Sequence, residues 1–355
     1  MKSQGLKPKA IERMIGRIYV KTDNTSEISN ALTKVFGITS FSMAKQTNSD
    51  IESISEVTLS LSEDVLQNGS SFAVRCHRVG TQPYSSLELC GELGGRIQEN
   101  LEDKKLRVNL TSPDTTINLE VRDKDAYVSA VTIQGAGGFP VGTQAKTVCL
   151  LSGGIDSPVA CWLAMKRGSP VVPIYVDNAP YTDETTKQKA VRVAVKLKEW
   201  SSGYLNRMYI IPNGENMKVF QEKAERRFTC LLCKRMMYRI AEKVAQKENA
   251  YGIVTGEAIG EQASQTIHNL FAIDEAAKTY PIHRPLLGFD KTETEKIARR
   301  IGTFKISTQK AKGCGAVPDQ PATRAIQKAV KKAEENLNIE EMAQKAFEAA
   351  EIISI

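Results

Sequence analysis

The chain has 355 residues, enough for two or three domains at roughly 100–200 residues each. Apolar residues make up 41% and charged residues 25%, a globular balance, and no apolar run nears the roughly 18 residues that would cross a bilayer, so no membrane partner is expected. Lys and Arg number 48 against 41 Asp and Glu, and the resulting formal charge of +7 suits a polyanionic partner without requiring one.

The N-terminus is basic but lacks the apolar stretch of a signal peptide, and the seven cysteines form no dense framework. Both point to a cytoplasmic protein with reduced thiols. Residues 1–50 predict a helix over 9–15, a strand over 17–21, a helix over 26–36 and a strand over 38–43, a small α+β unit. The polar, Ser-rich 44–56 stretch predicts a linker. A second α+β module follows over 52–135. Its elements are a half-exposed strand, SFAVRCHRVG, then a helix with Leu87, Cys90, Leu93 and Ile97 at helical spacing, then three short strands. The Gly/Pro stretch 135–144 predicts a linker. From 145 to 322 strands alternate with helices, beginning with KTVCLL, which predicts a doubly wound parallel α/β domain. The tail, 323–355, predicts a surface helix.

The sharpest chemical signal is Ser152, Gly153, Gly154, Ile155, Asp156 and Ser157, between a buried strand and a helix. Glycines let the backbone approach a phosphate chain, and the helix N-terminus holds the anion. Ser152 and Ser157 add hydroxyl donors. Asp156 would repel phosphate unless a bound Mg²⁺ or an orienting role for loop amides accounts for it. An ordinary Ser/Gly turn would have no need of that context. Ligands in open α/β folds sit at the carboxyl ends of strands, which nominates Leu150, Leu151, Tyr175 and Val176 as flanks of a nucleotide base, a role compatible with their being core.

Cys230 and Cys233 form a CxxC followed by Lys234 and Arg235, and basic neighbours favour thiolate. Such a pair can be redox-active, half a zinc site or part of an iron–sulfur site, and the lack of a second CxxC argues against Cys₄ zinc. Cys314, between Gly313 and Gly315, could join them to hold three irons of a [4Fe–4S] cluster; three unconnected thiols are the alternative. Cys76, Cys90, Cys149 and Cys161 fall on strand or helix patterns as core residues. Arg75, His77, Arg78, Arg96, Lys104 and Lys105, with Arg226, Arg227, Lys234 and Arg235, supply basic positions for collective phosphate contact.

The chain resembles the tRNA 4-thiouridine synthetases over most of its length. SFAVRCHRVGTQPYSSLELCGELGGRI through VSAVTIQGAGGFPVGTQ is similar to their RNA-binding THUMP domain. LLSGGIDSPVA, CKRMMYRIAEKVA, VTGEAIGEQASQTIHNL, RPLLGFDKTETEKIARRIGT and CGAVPDQPATRA stand in family order. The resemblance implies an α/β architecture: a PP-loop ATP pyrophosphatase domain preceded by a ferredoxin-like and a THUMP module. It also implies ATP with Mg²⁺, tRNA as partner, adenylation of a uridine at position eight and replacement of its O4 by sulfur. Ser152, Gly153, Gly154, Asp156 and Ser157 would hold phosphates and metal, Lys234, Gly256 and Gln265 would contact the nucleotide, and Cys314 would handle sulfur. No rhodanese-like domain follows, whereas Cys230 and Cys233 resemble the CxxC of archaeal-type members. Together these imply an iron–sulfur cluster on Cys230, Cys233 and Cys314 fed by sulfide or a persulfide carrier, and they weaken the family's second role in thiamine synthesis. A homodimer and an incomplete N-terminal domain are further expectations. The competing readings are a 2-thiolation enzyme of the PP-loop class and a tRNA-binding protein without catalysis.

Overall fold

The stretch read as an opening helix is a strand. In the computed structural model, which describes residues 6–14 and 16–355, β1 (Ala10–Met14) pairs antiparallel with β2 (Arg17–Lys21) across a turn at Gly16, where φ is +75°. Ile11 is 56% exposed while Ala10 and Met14 are half-buried on the other face, so the apolar spacing belongs to a short strand. Residues 1–5 and Ile15 lie outside the described residues, and with them the start of the N-terminal segment expected to be incomplete.

After the hairpin come α1 (Thr25–Thr33) and β3 (Ser40–Ser42). The expected linker at 44–56 is instead β4 (Lys45–Asn48) and the start of α2 (Ile51–Val65), whose N-terminus Asp50 caps by accepting from the Ser53 N–H at 2.8 Å. Its Ser-rich face packs inward, with Ser55, Thr58 and Ser62 buried, so polarity disguised a core helix. Then come β5 (Ser71–Val79), α3 (Ser86–Asn100), β6 (Arg107–Val108), β7 (Thr115–Arg122), β8 (Asp125–Ser129) and β9 (Thr132–Gln134). One sheet runs β4-β8-β7-β5-β6, while β3 pairs with β9. The buried stripe of α3 is Leu89, Leu93 and Ile97; Leu87 is 83% exposed. The Ser85–Glu88 capping box starts the helix so that Leu87 faces water. These elements belong to one of two units, 7–33 plus 38–135. Tyr19 stacks on Tyr127 and Arg17 pairs with Glu120 at 2.8 Å, which fixes the hairpin to the sheet of this unit.

The second unit contains 34–37 and 136–355. Its strands are β10 (Thr147–Leu150), β11 (Val171–Asp177), β12 (Arg207–Pro212), β13 (Ile253–Val254), β14 (Ile282–His283) and β15 (Glu351–Ser354), in the order β14-β13-β10-β11-β12-β15. All neighbours are parallel except β15, which runs antiparallel to β12. Residues alternate between two apolar layers: Val148, Val172, Ile174, Tyr209 and Ile211 face one, Cys149, Val171, Tyr175, Met208 and Ile210 the other. Helices α4 (Asp156–Lys166), α5 (Glu184–Lys198) and α9 (Lys291–Ile301) cover the second layer, and α6 (Gly214–Lys223), α7 (Thr229–Glu248), α8 (Ile267–Asp274), α11 (Gln327–Glu334) and α12 (Ile339–Glu348) the first; α10 (Phe304–Ser307) is a single turn. This is a doubly wound α/β unit.

The chain breaks between α6 and α7 at 224–228, which creates a helix N-terminus directly before Cys230. Two expectations change here. The tail is not a surface helix. Glu334 on α11 is 8% exposed and accepts from Arg235 and Arg239, both buried, at 2.7–2.9 Å. Arg235 is therefore unavailable to RNA. Cys149 and Cys161, expected as free core thiols, are joined as a disulfide with Cα atoms 6.0 Å apart. No helix among the described residues is long and apolar enough to cross a membrane.

Candidate active site

The 152–157 loop leaves the carboxyl end of β10 and enters α4. Its serines bind one another: the Ser152 N–H donates to Ser157 Oγ at 2.8 Å, the two hydroxyls are 3.0 Å apart, and the Gly154 N–H donates to Ser152 Oγ at 3.2 Å. The loop is thus pre-shaped rather than slack. Gly256, just beyond β13, presses against it. A Cβ at Gly256 would lie 2.5 Å from Ser157 N, and backbone cannot yield there. Gly256→Ala is therefore expected to displace the loop and to lower kcat/KM about 10²-fold. Steady-state kinetics measure this, and an unchanged value would mean that the loop tolerates displacement.

Asp156 meets Lys291 of α9, whose Nζ lies 2.7 and 2.9 Å from the two carboxylate oxygens and 3.5 Å from Glu261. Burial lowers the lysine pKa, but the Asp156 carboxylate more than offsets it and holds the ammonium above its ordinary range. This pairing explains how an acid can stand in a phosphate-shaped loop. Lys291 was missed as a site residue because its partner is 135 positions away.

A second charged group surrounds Glu257. Lys234 Nζ donates at 2.9 Å, Arg284 Nε at 2.8 Å, Tyr238 OH at 2.6 Å and Thr255 Oγ1 at 3.1 Å. Burial works to raise the carboxyl, yet Lys234 and Arg284 bring it down to about 2. The basic residue expected at Lys234 is thus in place but held by an acid that sequence reading passed over. Gln265 sits on the same segment beyond β13, in a short turn; it is buried and its Oε1 has no partner among the described residues. Leu150 and Leu151 close β10, while Tyr175 and Val176 at the end of β11 are buried on opposite layers. Burial pushes the Tyr175 phenol up to about 12.

Cys230 and Cys233 occupy the first two turns of α7, and Cys314 packs against the apolar layer that contains Cys233. Burial, then Cys314, raises the Cys233 thiol to about 12; the same two causes raise Cys230 against Lys234. The expected lowering by basic neighbours is outweighed by burial, and Arg235 points into the Glu334 network. Three buried asparagines stand behind Cys233. Asn178 and Asn213 aim Nδ2 at its sulfur at 3.7 and 3.8 Å, and Asn216 donates to Asn213 at 2.9 Å. The amide N–H groups of Asn178 and Asn213 behind Cys233 suit a thiolate at that sulfur. Among the described residues no three His, Cys, Asp or Glu side chains stand in metal-holding geometry.

The phosphate loop, Gly256, the Asp156–Lys291 pair and the Glu257 cluster gather at the carboxyl ends of β10 and β13, with the cysteines beside Lys234. The family model described as "Thiamine biosynthesis protein (ThiI)" matches residues 142–339, and that of the THUMP domain matches 48–131. A protein of Methanosarcina mazei named "Probable tRNA sulfurtransferase" is 41% identical over 97% of this chain and 85% of its own length. One of the same name from Caldanaerobacter subterraneus is 37% identical over 92% and 85%. The crystal structure of a 4-thiouridine synthetase–RNA complex with bound ATP superposes with a TM-score of 0.90 at 32% identity, covering 99% of this chain and 91% of that one. The chain belongs to the ThiI family of tRNA sulfurtransferases.

Proposed function

We propose that this protein adenylates a tRNA uridine at position eight and exchanges its O4 for sulfur. The observation that carries this is the pre-shaped 152–157 loop wedged against Gly256 at the strand ends. Backbone N–H groups of the loop and the α4 N-terminus hold the triphosphate, with Mg²⁺ arriving on it. Lys291 neutralises Asp156 and sets its direction. O4 of the uridine attacks the α-phosphorus and pyrophosphate leaves. A sulfur nucleophile then attacks C4, and AMP departs with the former O4. Lys234, anchored by Glu257, presents positive charge beside the phosphates. The structural relative solved with RNA and ATP supports both ligands, and the THUMP match supports tRNA.

Cys230, Cys233 and Cys314 would hold an iron–sulfur cluster, which when bound would supply sulfide-derived sulfur. The Asn178 and Asn213 N–H groups would support the Cys233 thiolate. Anaerobically purified protein incubated with tRNA, ATP, Mg²⁺ and sulfide is expected to give 4-thiouridine by mass spectrometry of digested nucleosides, only when ATP is present. Its absorption and iron content should fall together in Cys233→Ala. A 2-thiouridine product would overturn the assignment, and unchanged iron in Cys233→Ala would remove the cluster.

A further inference from the structure

Lys189, in the second turn of α5, is 8% exposed and has no acidic partner among the described residues. Its Nζ donates instead to two backbone carbonyls, Ser307 O at 2.9 Å and Gln309 O at 2.8 Å. Burial, then Arg192, lowers its pKa. A buried cation satisfied only by neutral oxygens is costly, and an apolar side chain would fill the space more cheaply. What it holds gives the residue a purpose.

Ser307 is the last residue of α10 and opens the segment that carries Cys314. Its hydroxyl donates to Gly154 O in the phosphate loop at 3.0 Å. Further along, the Gly315 N–H donates to Tyr181 O at 2.8 Å. The 307–315 segment is therefore held by residues 181–189 and by the phosphate loop itself. The stem of Lys189 also lies on the loop, since a Cβ at Gly153 would be 2.8 Å from its Cβ. A trans peptide points its C=O and N–H in opposite directions. Fixing Gly154 O on Ser307 thus turns the Ile155 N–H the other way, as a donor from the loop.

We infer that Lys189 and Ser307 are positioning residues that couple occupancy of the phosphate loop to the placement of the Cys314 segment. Nucleotide drawing on the loop amides tightens the Gly154–Ser307 link, and Lys189 passes the restraint to 308–316. The sulfur-handling cysteine is thereby set in place when ATP is bound. This rests on the nucleotide reading above.

The test is peptide-resolved hydrogen exchange of the full chain, with and without α,β-methylene ATP. In the wild type the analogue should slow exchange in both 152–157 and 308–316, by about five-fold or more in the latter, the lower range of ordinary coupling between sites. In Lys189→Met and Ser307→Ala, protection of 152–157 should remain while the nucleotide-dependent difference at 308–316 disappears; Lys189→Arg should restore it. A purely structural role would raise exchange at 308–316 equally with and without nucleotide, and that result overturns the coupling. Protection confined to 152–157 in the wild type also overturns it while leaving the nucleotide reading intact. No protection at either segment defeats the nucleotide reading itself. Should Lys189→Met fail to fold, Ser307→Ala, which deletes one hydroxyl, decides the matter alone.

Discussion

Lys291→Met is expected to lower kcat/KM for tRNA thiolation by about 10²–10³-fold, the usual consequence of removing a preorganised charge from a reacting phosphate. The larger part of the loss comes from what remains. Asp156 keeps its place at the α4 N-terminus, with its carboxylate no longer met by the ammonium 2.7 Å away. An uncompensated anion then faces the triphosphate. The double variant Asp156→Asn, Lys291→Met should therefore bind ATP more tightly than Lys291→Met alone, although it stays slow. Calorimetric titration with α,β-methylene ATP separates the two contributions, because residues in contact are not additive. Equal affinities in the single and double variants would show that the pair does not act on the phosphates.

Glu257→Ala should cost about 3 kcal/mol of stability, since it strips half-buried Lys234 of its carboxylate and leaves Arg284 with Asp274 alone. Glu257→Gln should be milder, because the amide still accepts from Tyr238 and Thr255. The pH dependence follows from the direction of the shift. The carboxyl is depressed from 4.5 to about 2, so its contribution is complete above the unfolded value and is lost as pH falls through roughly 5 to 2. That contribution is about 3 kcal/mol, with each pKa step worth about 1.4. Denaturant titrations at pH 7 and at pH 3 should show a steeper decline in wild type than in Glu257→Gln. Parallel declines would mean that the cluster is not charged as drawn.

Much of the chemistry was legible before any fold was seen. The 152–157 loop announced itself because every feature it needs is local: glycines, hydroxyls, a strand before and a helix after. The doubly wound sheet was legible for a similar reason, as KTVCLL and VVPIYV are continuous apolar runs buried on both sides. Groups that meet across the chain were not. Lys291 and Asp156 are joined only by the packing of α9 on α4, and nothing near either residue reveals it. Glu257 reads as an unremarked acid until Lys234 and Arg284 close on it. The errors elsewhere were local ambiguities settled by tertiary context. The segment 10–14 carries apolar residues at a spacing that suits either period. Ser53 and Ser55 gave the start of α2 the polarity of a linker although Ser55 faces inward. Strands as short as β14 and β15 have too few residues to declare a period at all.

The two guanidinium groups that meet Glu334 constrain how the chain can be shortened. Arg235 and Arg239, both buried, project from α7, the helix that also bears Cys230, Cys233 and Lys234, onto Glu334. A protein clipped before residue 334 would leave both cations there with their main counter-ion gone, and the strain would fall on the helix that presents the thiols. The terminal helices thus act as a keystone for the catalytic half, and losing them would unsettle it without touching a reacting group.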